Sequence, residues 1–184
     1  MRIVDLRPED TYAISQVAAL LIEGFAANWP EAWPNLASAL EEVRESFAEG
    51  HISRVALDED GTVSGWIGGM SQYDGHVWEL HPLVVRVNQQ GQGIGRALVA
   101  DFEERVKERG GLTVTPGTDD VSQQTTLAGI TLFPNVWEHV AHIKNLKQHP
   151  YEFYQNLGYS IVGVIPDANG PGKPDILMAK SVVR

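Results

Sequence analysis

Three groups of residues in this chain have the types and spacing to do chemistry. The first is Gln90-Gly91-Gln92-Gly93-Ile94-Gly95-Arg96, with Ala97 after it. An apolar run, His81-Pro82-Leu83-Val84-Val85, leads into it, and a helix-like segment follows. A strand, a glycine turn and a helix start in that order aim free backbone N–H groups at one point. The helix dipole adds partial positive charge there. Such a point binds a phosphate or pyrophosphate. The second group is Glu79 and His81, two apart in a strand-like stretch, so they share one face while Trp78 and Leu80 share the other. A carboxylate there can bind a cation, or position an ammonium and accept its proton directly or through one water. His81 is the second candidate base, with a hydrogen-bonded structural histidine as the alternative. The third group is Asp119-Asp120, in a polar stretch after a short strand. The pair reads either as a clamp for ammonium groups or as a turn or helix cap.

The elements that must carry these groups follow from periodicity. Arg2 to Arg7 alternates as a short strand. Pro8-Glu9-Asp10 opens a helix whose apolar stripe is Ile14, Val17, Ala18, Leu21, Ile22 and Phe25. Two Trp-Pro pairs in Asn28 to Pro34 break it. That aromatic loop is either a packed connector or a cleft wall, with Trp29 lining it and Glu31 supplying charge. Leu36, Leu40, Val43 and Phe47 mark a second short helix ended at Gly50. Ser53–Leu57 and Val63–Met70 read as strands joined by a hairpin at Asp58-Glu59-Asp60-Gly61. The strand Val77–Val85 enters the glycine loop. The helix after the loop, with Ile94, Leu98, Phe102 and Val106 inward, ends at Gly110-Gly111. Leu112–Thr115 is the next strand, Pro116–Thr131 a polar loop, and Trp137–Leu146 and Pro150–Asn156 helices. Tyr159–Ile165 and Asp175–Ala179 are the last strands. The mixture predicts an α/β fold, a mixed sheet packed with helices, over a single domain of residues 1–184.

Bulk properties narrow the classes. The 184 residues carry a net charge of −10 and no cysteine, which excludes disulfides and thiolate chemistry on the protein. No basic stripe marks a nucleic-acid binder. The acidic balance suits a cationic small substrate. No apolar run approaches a membrane span, and the charged start does not read as a signal peptide. The expected location is cytoplasmic. His139 and His142 lack supporting carboxylates, so no metal is expected. The spacing Gly91, Gly93, Gly95 does not fit G-x-G-x-x-G, and Arg96-Ala97 does not end a P-loop. Pro82 cannot join a sheet ladder, so its strand needs a splay or a bulge.

The pattern Gln-x-x-Gly-x-Gly, from Gln90 through Gly93 to Gly95, resembles the acetyl-CoA-binding motif of the GNAT superfamily of N-acetyltransferases. Phe153-Tyr154-Gln155-Asn156-Leu157-Gly158-Tyr159 resembles that family's C-terminal pattern. The resemblance implies a mostly antiparallel sheet with a splayed strand pair and helices on both faces. It implies a CoA pyrophosphate on the backbone of Gln90 to Arg96. It implies pantetheine paired with Leu83, Val84 and Val85, and an oxyanion facing the Leu83 N–H. Such a donor is worth about 3–4 kcal/mol in the transition state. Tyr154 would protonate the leaving thiolate; its other reading is a core aromatic. Trp78 to Val85, Gly117 to Asp120, His149 to Tyr154 and Gly170 to Lys180 together are similar to aminoglycoside 6'-N-acetyltransferases of the chromosomal enterococcal type. That likeness covers about Trp66 to Lys180. It implies an aminoglycoside amine as acceptor, Glu79 as candidate base, and a homodimer; the alternatives are a polyamine, peptide or other cellular amine as acceptor, or a non-catalytic CoA-binding module. With no cysteine, direct attack in a ternary complex is the expected route.

Overall fold

The computed structural model describes residues 1–183. The chain divides into two compact units: Met1–Val114 with Val182 and Val183, and Thr115–Ser181. The first unit holds strands β1 (Arg2–Asp5), β2 (His51–Leu57), β3 (Val63–Gln72) and β4 (Val77–Val85). Its helices are α1 (Thr11–Phe25), α2 (Leu36–Glu45) and α3 (Ile94–Glu108). Strand order is β1-β2-β3-β4, and every pairing is antiparallel. The Asp58–Gly61 hairpin forms where turn chemistry places it, closed by the Asp58 N–H on the Thr62 carbonyl at 2.9 Å. Asp10 caps α1 through the Ala13 N–H at 2.9 Å, and Asn35 caps α2 through the Ser38 N–H at 3.1 Å.

β3 is covered on both faces. Gly65 and Gly69 turn toward Leu98 and Phe102 of α3. Trp66 turns the other way, into a core built with Val17, Leu21 and Val43 of α1 and α2. A strand buried on both sides reads as a near-continuous apolar run, as Val63–Met70 does apart from Ser64. Arg54 of β2 fixes α3 from the side. Its guanidinium grips Asp101 at 2.7 and 2.9 Å and Asp5 at 2.5 Å. This bidentate pairing holds its pKa above the ordinary value, against the cost of burial.

β3 and β4 approach each other closely at Gly68 and Gly69. Register is regular from Gly65↔Val85 to Ile67↔Leu83, then shifts, and resumes at Gly69↔Leu80. Gly68 alone stands opposite His81 and Pro82. The expected irregularity at Pro82 is therefore a bulge in the β3–β4 ladder. A Cβ on Gly68 would lie 2.8 Å from the His81 carbonyl oxygen. One on Gly69 would lie 2.3 Å from the Glu79 carbonyl oxygen and 2.4 Å from Phe102.

The second unit holds the remainder of β5 (Thr113–Asp119), with α4 (Val136–Ala141), α5 (Tyr151–Gln155), β6 (Ser160–Ile165) and β7 (Asp175–Ser181). Its strand order is β5-β7-β6, with β6 and β7 antiparallel. Leu127, Leu132 and Ile176 centre its core. Two sequence expectations change here. β5 continues through Pro116 and Gly117 to Asp119, so the polar loop starts at Asp120. The Pro116 side is buried and the Thr118 N–H donates to Asp175 at 3.1 Å, which extends the strand past a residue that ordinarily ends one. The helix expected over Trp137–Leu146 is only Val136–Ala141; beyond His142, Lys144 and Leu146 bond to the 124–126 segment instead. The mixed α/β class stands.

Replacing Gly69 with Ala forces its methyl group into a backbone carbonyl and an aromatic ring, so a loss of about 3 kcal/mol is expected. Gly163→Ala, whose Cβ would stand 3.7 Å from Leu177, is the control and shifts little. Urea unfolding midpoints of the two variants measure the difference.

Candidate active site

β4 carries Glu79, His81 and the run Leu83 to Val85. Burial alternates along it: Trp78 and Leu80 are buried, Glu79 is half-buried and His81 is exposed. Glu79 and His81 thus share the more open face. The Glu79 carboxylate is oriented by Gln72 at the end of β3, whose Nε2 donates to Oε2 at 2.5 Å. His81 lies beside Trp33, ring centroids 6.1 Å apart. Trp33 is itself buried, edge-on to Phe25 at 4.7 Å. The Trp-Pro loop therefore serves as a packed connector through Trp33. It leaves Trp29 half-buried and Glu31 exposed.

Past the bulge the ladder sorts the backbone of β4 into two edges. The Arg86 N–H donates to the Ser64 carbonyl at 2.9 Å. Register is regular from there back to Leu83. Antiparallel alternation then turns the peptide groups of Val84 and Arg86 toward β3 and those of Leu83 and Val85 away from it. Gln90 confirms the second direction, since its Nε2 donates to the Val85 carbonyl at 3.2 Å. The Val84 side chain is buried, and its peptide groups face β3, while those of Leu83 and Val85 lie on the opposite edge of the strand.

The glycine loop follows a tight turn at Val87–Gln89. Gly91 and Gly93 take φ of 75° and 88°, a left-handed conformation that favours glycine, and a Cβ on either would meet nothing within 4 Å. Gln90, Gly91, Gln92, Gly93 and Arg96 are exposed, and Ile94 is buried under the helix start. Gly93 is the N-cap of α3 and brings no side-chain acceptor. The N–H groups of Ile94, Gly95 and Arg96 have no acceptor within the helix. An open, uncapped helix start with a glycine approach fits a pyrophosphate.

The second unit carries the other expected residues. Tyr154 sits on α5, buried, with ring centroids 5.1 Å from Phe153 and 5.5 Å from Tyr159. Burial pushes its phenol well above the ordinary value, so it stays protonated. Asp119 is half-buried at the end of β5, and its Oδ1 accepts from Asn169 Nδ2. Asp120 departs from the expected clamp. Its carboxylate is fully buried and accepts the N–H groups of Gln124 at 2.6 Å and Thr125 at 2.8 Å. It closes the loop after β5, the capping alternative, and has no face left for a substrate.

Four contributors were not singled out from the sequence. Gln72 and Asn169 orient carboxylates, and a single glutamine or asparagine leaves no pattern to find. Gly68-Gly69 did leave one, since a glycine doublet inside an apolar strand marks a close approach or a bulge. His149, buried between β5 and α5, stood in the His149 to Tyr154 stretch that carried the resemblance, but with no role of its own. Among the described residues no cluster of three or more His, Asp or Glu is arranged to hold a metal ion. Among them also, no helix is long and apolar enough to cross a membrane.

Residues 15–125 match the model of the Acetyltransferase (GNAT) family, which is more than half of the chain. The chain belongs to the GNAT acetyltransferase family. Its acyl donor is accordingly acetyl-CoA. The whole chain aligns with 98% of an aminoglycoside 6'-N-acetyltransferase solved in complex with coenzyme A, at 39% identity and a TM-score of 0.90. It aligns equally fully with 98% of the aminoglycoside 6'-N-acetyltransferase from Enterococcus faecium, at 40% identity and a TM-score of 0.88. The ribosomal-protein-S18-alanine N-acetyltransferase from Escherichia coli shares only the fold: 16% identity over all of this chain and 94% of that one, TM-score 0.64. No curated protein matches the sequence.

Burial holds the His149 imidazole neutral, below its ordinary value of 6.5, although Asp120 and Asp119 pull the other way. The unfolded chain takes up a proton near pH 6.5 that the folded ring refuses until lower pH. The stability this contributes is therefore complete above pH 6.5 and is lost as pH falls from there through the folded value. Urea midpoints at pH 7.5 and 5.5 should fall for the wild type, and His149→Gln should remove that part of the fall.

Proposed function

We propose that this acetyltransferase moves the acetyl group of acetyl-CoA to a primary amine of a cationic small molecule, the 6'-amino group of an aminoglycoside, by direct attack in a ternary complex. The observation that carries the acceptor is the end-to-end likeness, at 39–40% identity, to aminoglycoside 6'-N-acetyltransferases. The net charge of −10 supports it, since a polycationic sugar is drawn to an acidic protein.

Each residue then has a task that its surroundings suit. The N–H groups from Gln90 to Arg96 and the start of α3 hold the pyrophosphate of the donor. Leu83 and Val85 offer backbone to its pantetheine arm, and the Leu83 N–H receives the oxygen that gains charge as the amine attacks. The thioester supplies an activated carbonyl and a thiolate leaving group. Glu79, fixed by Gln72, positions the ammonium and takes its proton directly or through one water. His81, on the same face, is the second group able to do so. Tyr154, protonated because it is buried, donates to the departing sulfur. Asp119, Trp29 and Glu31 bind the rest of the cation; Asp120 supports the loop that carries Asp119. Holding amine and thioester together supplies much of the rate. Residues 1–184 act as one catalytic domain, working as a cytoplasmic homodimer, and the activity confers aminoglycoside resistance.

Free thiol released from acetyl-CoA tests the acceptor. Turnover is expected with kanamycin-type aminoglycosides and not with analogues bearing a 6'-hydroxyl. Turnover confined to spermine or short peptides would reassign it. Glu79→Gln should lower kcat/KM about 10²- to 10⁴-fold and remove its acidic limb from the pH–rate profile; an unchanged profile would exclude Glu79 as the base. Light scattering should give twice the 20.2 kDa chain mass.

A further inference from the structure

One buried titratable side chain in the second unit, His149, has no part in the chemistry above. His149 is 1% exposed. Its ring bridges two elements. Nδ1 accepts the Tyr151 N–H at 3.2 Å, and Nε2 donates to the Asp119 carbonyl oxygen at 3.3 Å. That pair of bonds fixes one neutral tautomer. The backbone on either side of the ring is held as well. The His149 N–H donates to Asn145 Oδ1 at 2.7 Å, and Asn145 Nδ2 donates to the His149 carbonyl at 2.9 Å. Tyr151 lies over the ring at 5.7 Å.

What this clamp holds is α5. The helix has five residues, and its N-cap, Pro150, brings no side-chain acceptor. A helix of one turn has little stability of its own. His149 provides the missing acceptor, one residue before the cap. Its other nitrogen ties that acceptor to the end of β5, the position Asp120 fixes from the loop side. Tyr154 is on the same turn, with its N–H on the Pro150 carbonyl at 3.3 Å. A shift of the helix start therefore moves the phenol. Displacing a reacting group by about 1 Å costs on the order of 10²-fold in rate.

We infer that His149 is a positioning residue: it locks α5 to the end of β5 and so sets the place from which Tyr154 donates its proton. The inference rests on the role proposed for Tyr154. The two can fail separately in a double-mutant cycle read by single-turnover acetyl transfer with acetyl-CoA and kanamycin. Tyr154→Phe alone slows transfer if Tyr154 is the donor; a wild-type rate there removes that role and the inference with it. His149→Phe keeps the ring shape and removes both bonds. It should slow transfer about tenfold in the wild type and less than twofold in the Tyr154→Phe background, with KM for kanamycin unchanged. An equal loss in both backgrounds, or none in either, overturns the inference while leaving Tyr154 as donor. Where circular dichroism shows His149→Phe unfolded, His149→Gln is used in the same cycle. It keeps a donor near the Nε2 position and loses the acceptor for Tyr151, and a loss of about threefold that vanishes with Tyr154→Phe is expected.

Discussion

The donor half of the site depends on how closely two backbones approach at Gly68-Gly69. A side chain at either position would enter a carbonyl group of β4. Without side chains, β3 accommodates an extra residue on β4, and the bulge at His81-Pro82 forms. The bulge separates two jobs along one strand. Before it, Glu79 and His81 share the more open face. After it, regular alternation turns the peptide groups of Leu83 and Val85 away from β3. Phe102 from α3 packs on the same glycine, so the helix that begins at the anion cradle is seated against the same close approach. Arg54 then fixes α3 from the side through Asp101. Carboxylate, backbone edge and cradle all take their places from one contact.

Much of this was legible because backbone recognition needs glycine and proline, and those residues are visible. Gly91 and Gly93 sit at positive φ, as a loop wrapping an anion requires. Pro82 announced an irregularity in an otherwise apolar strand, and β4 begins and ends where periodicity placed it. The reading went astray where tertiary bonds overrode local signals. Pro116 and Gly117 look like a strand end, yet Asp175 and the Ile176 carbonyl hold Thr118 in line. Lys144 and Leu146 look helical, yet their N–H groups are taken by Thr126 and Gln124. Both errors involve partners distant in sequence.

Asp119 and Asp120 show the limit in one pair. Adjacent carboxylates after a strand look alike in a sequence. In the fold one is half-buried beside Asn169, and the other is fully buried with two backbone N–H groups on it. A buried carboxylate without those bonds would be strongly unfavourable. Asp120 therefore tells of a loop that must keep its shape, and only Asp119 keeps the option of meeting a cation. Five polar residues buried in this unit, Thr118, Asp120, Gln124, Thr125 and His149, form the framework around it.

The same contrast explains why the donor is easier to read than the acceptor. The donor's pyrophosphate is recognised by peptide N–H groups, which any sequence has; what must be specified is the glycine that lets them converge. A polycationic acceptor is recognised by carboxylates, and 24 acidic residues in the chain offer many candidates. The fold does not choose among them, since an acetyltransferase with a ribosomal protein in its name shares that fold at 16% identity. Choice comes from groups such as Gln72 and Asn169 that hold one oxygen of a carboxylate and thereby direct the other. Acceptor preference can therefore change by substituting such holders, with Gly68, Gly69 and the Gln90–Arg96 loop untouched.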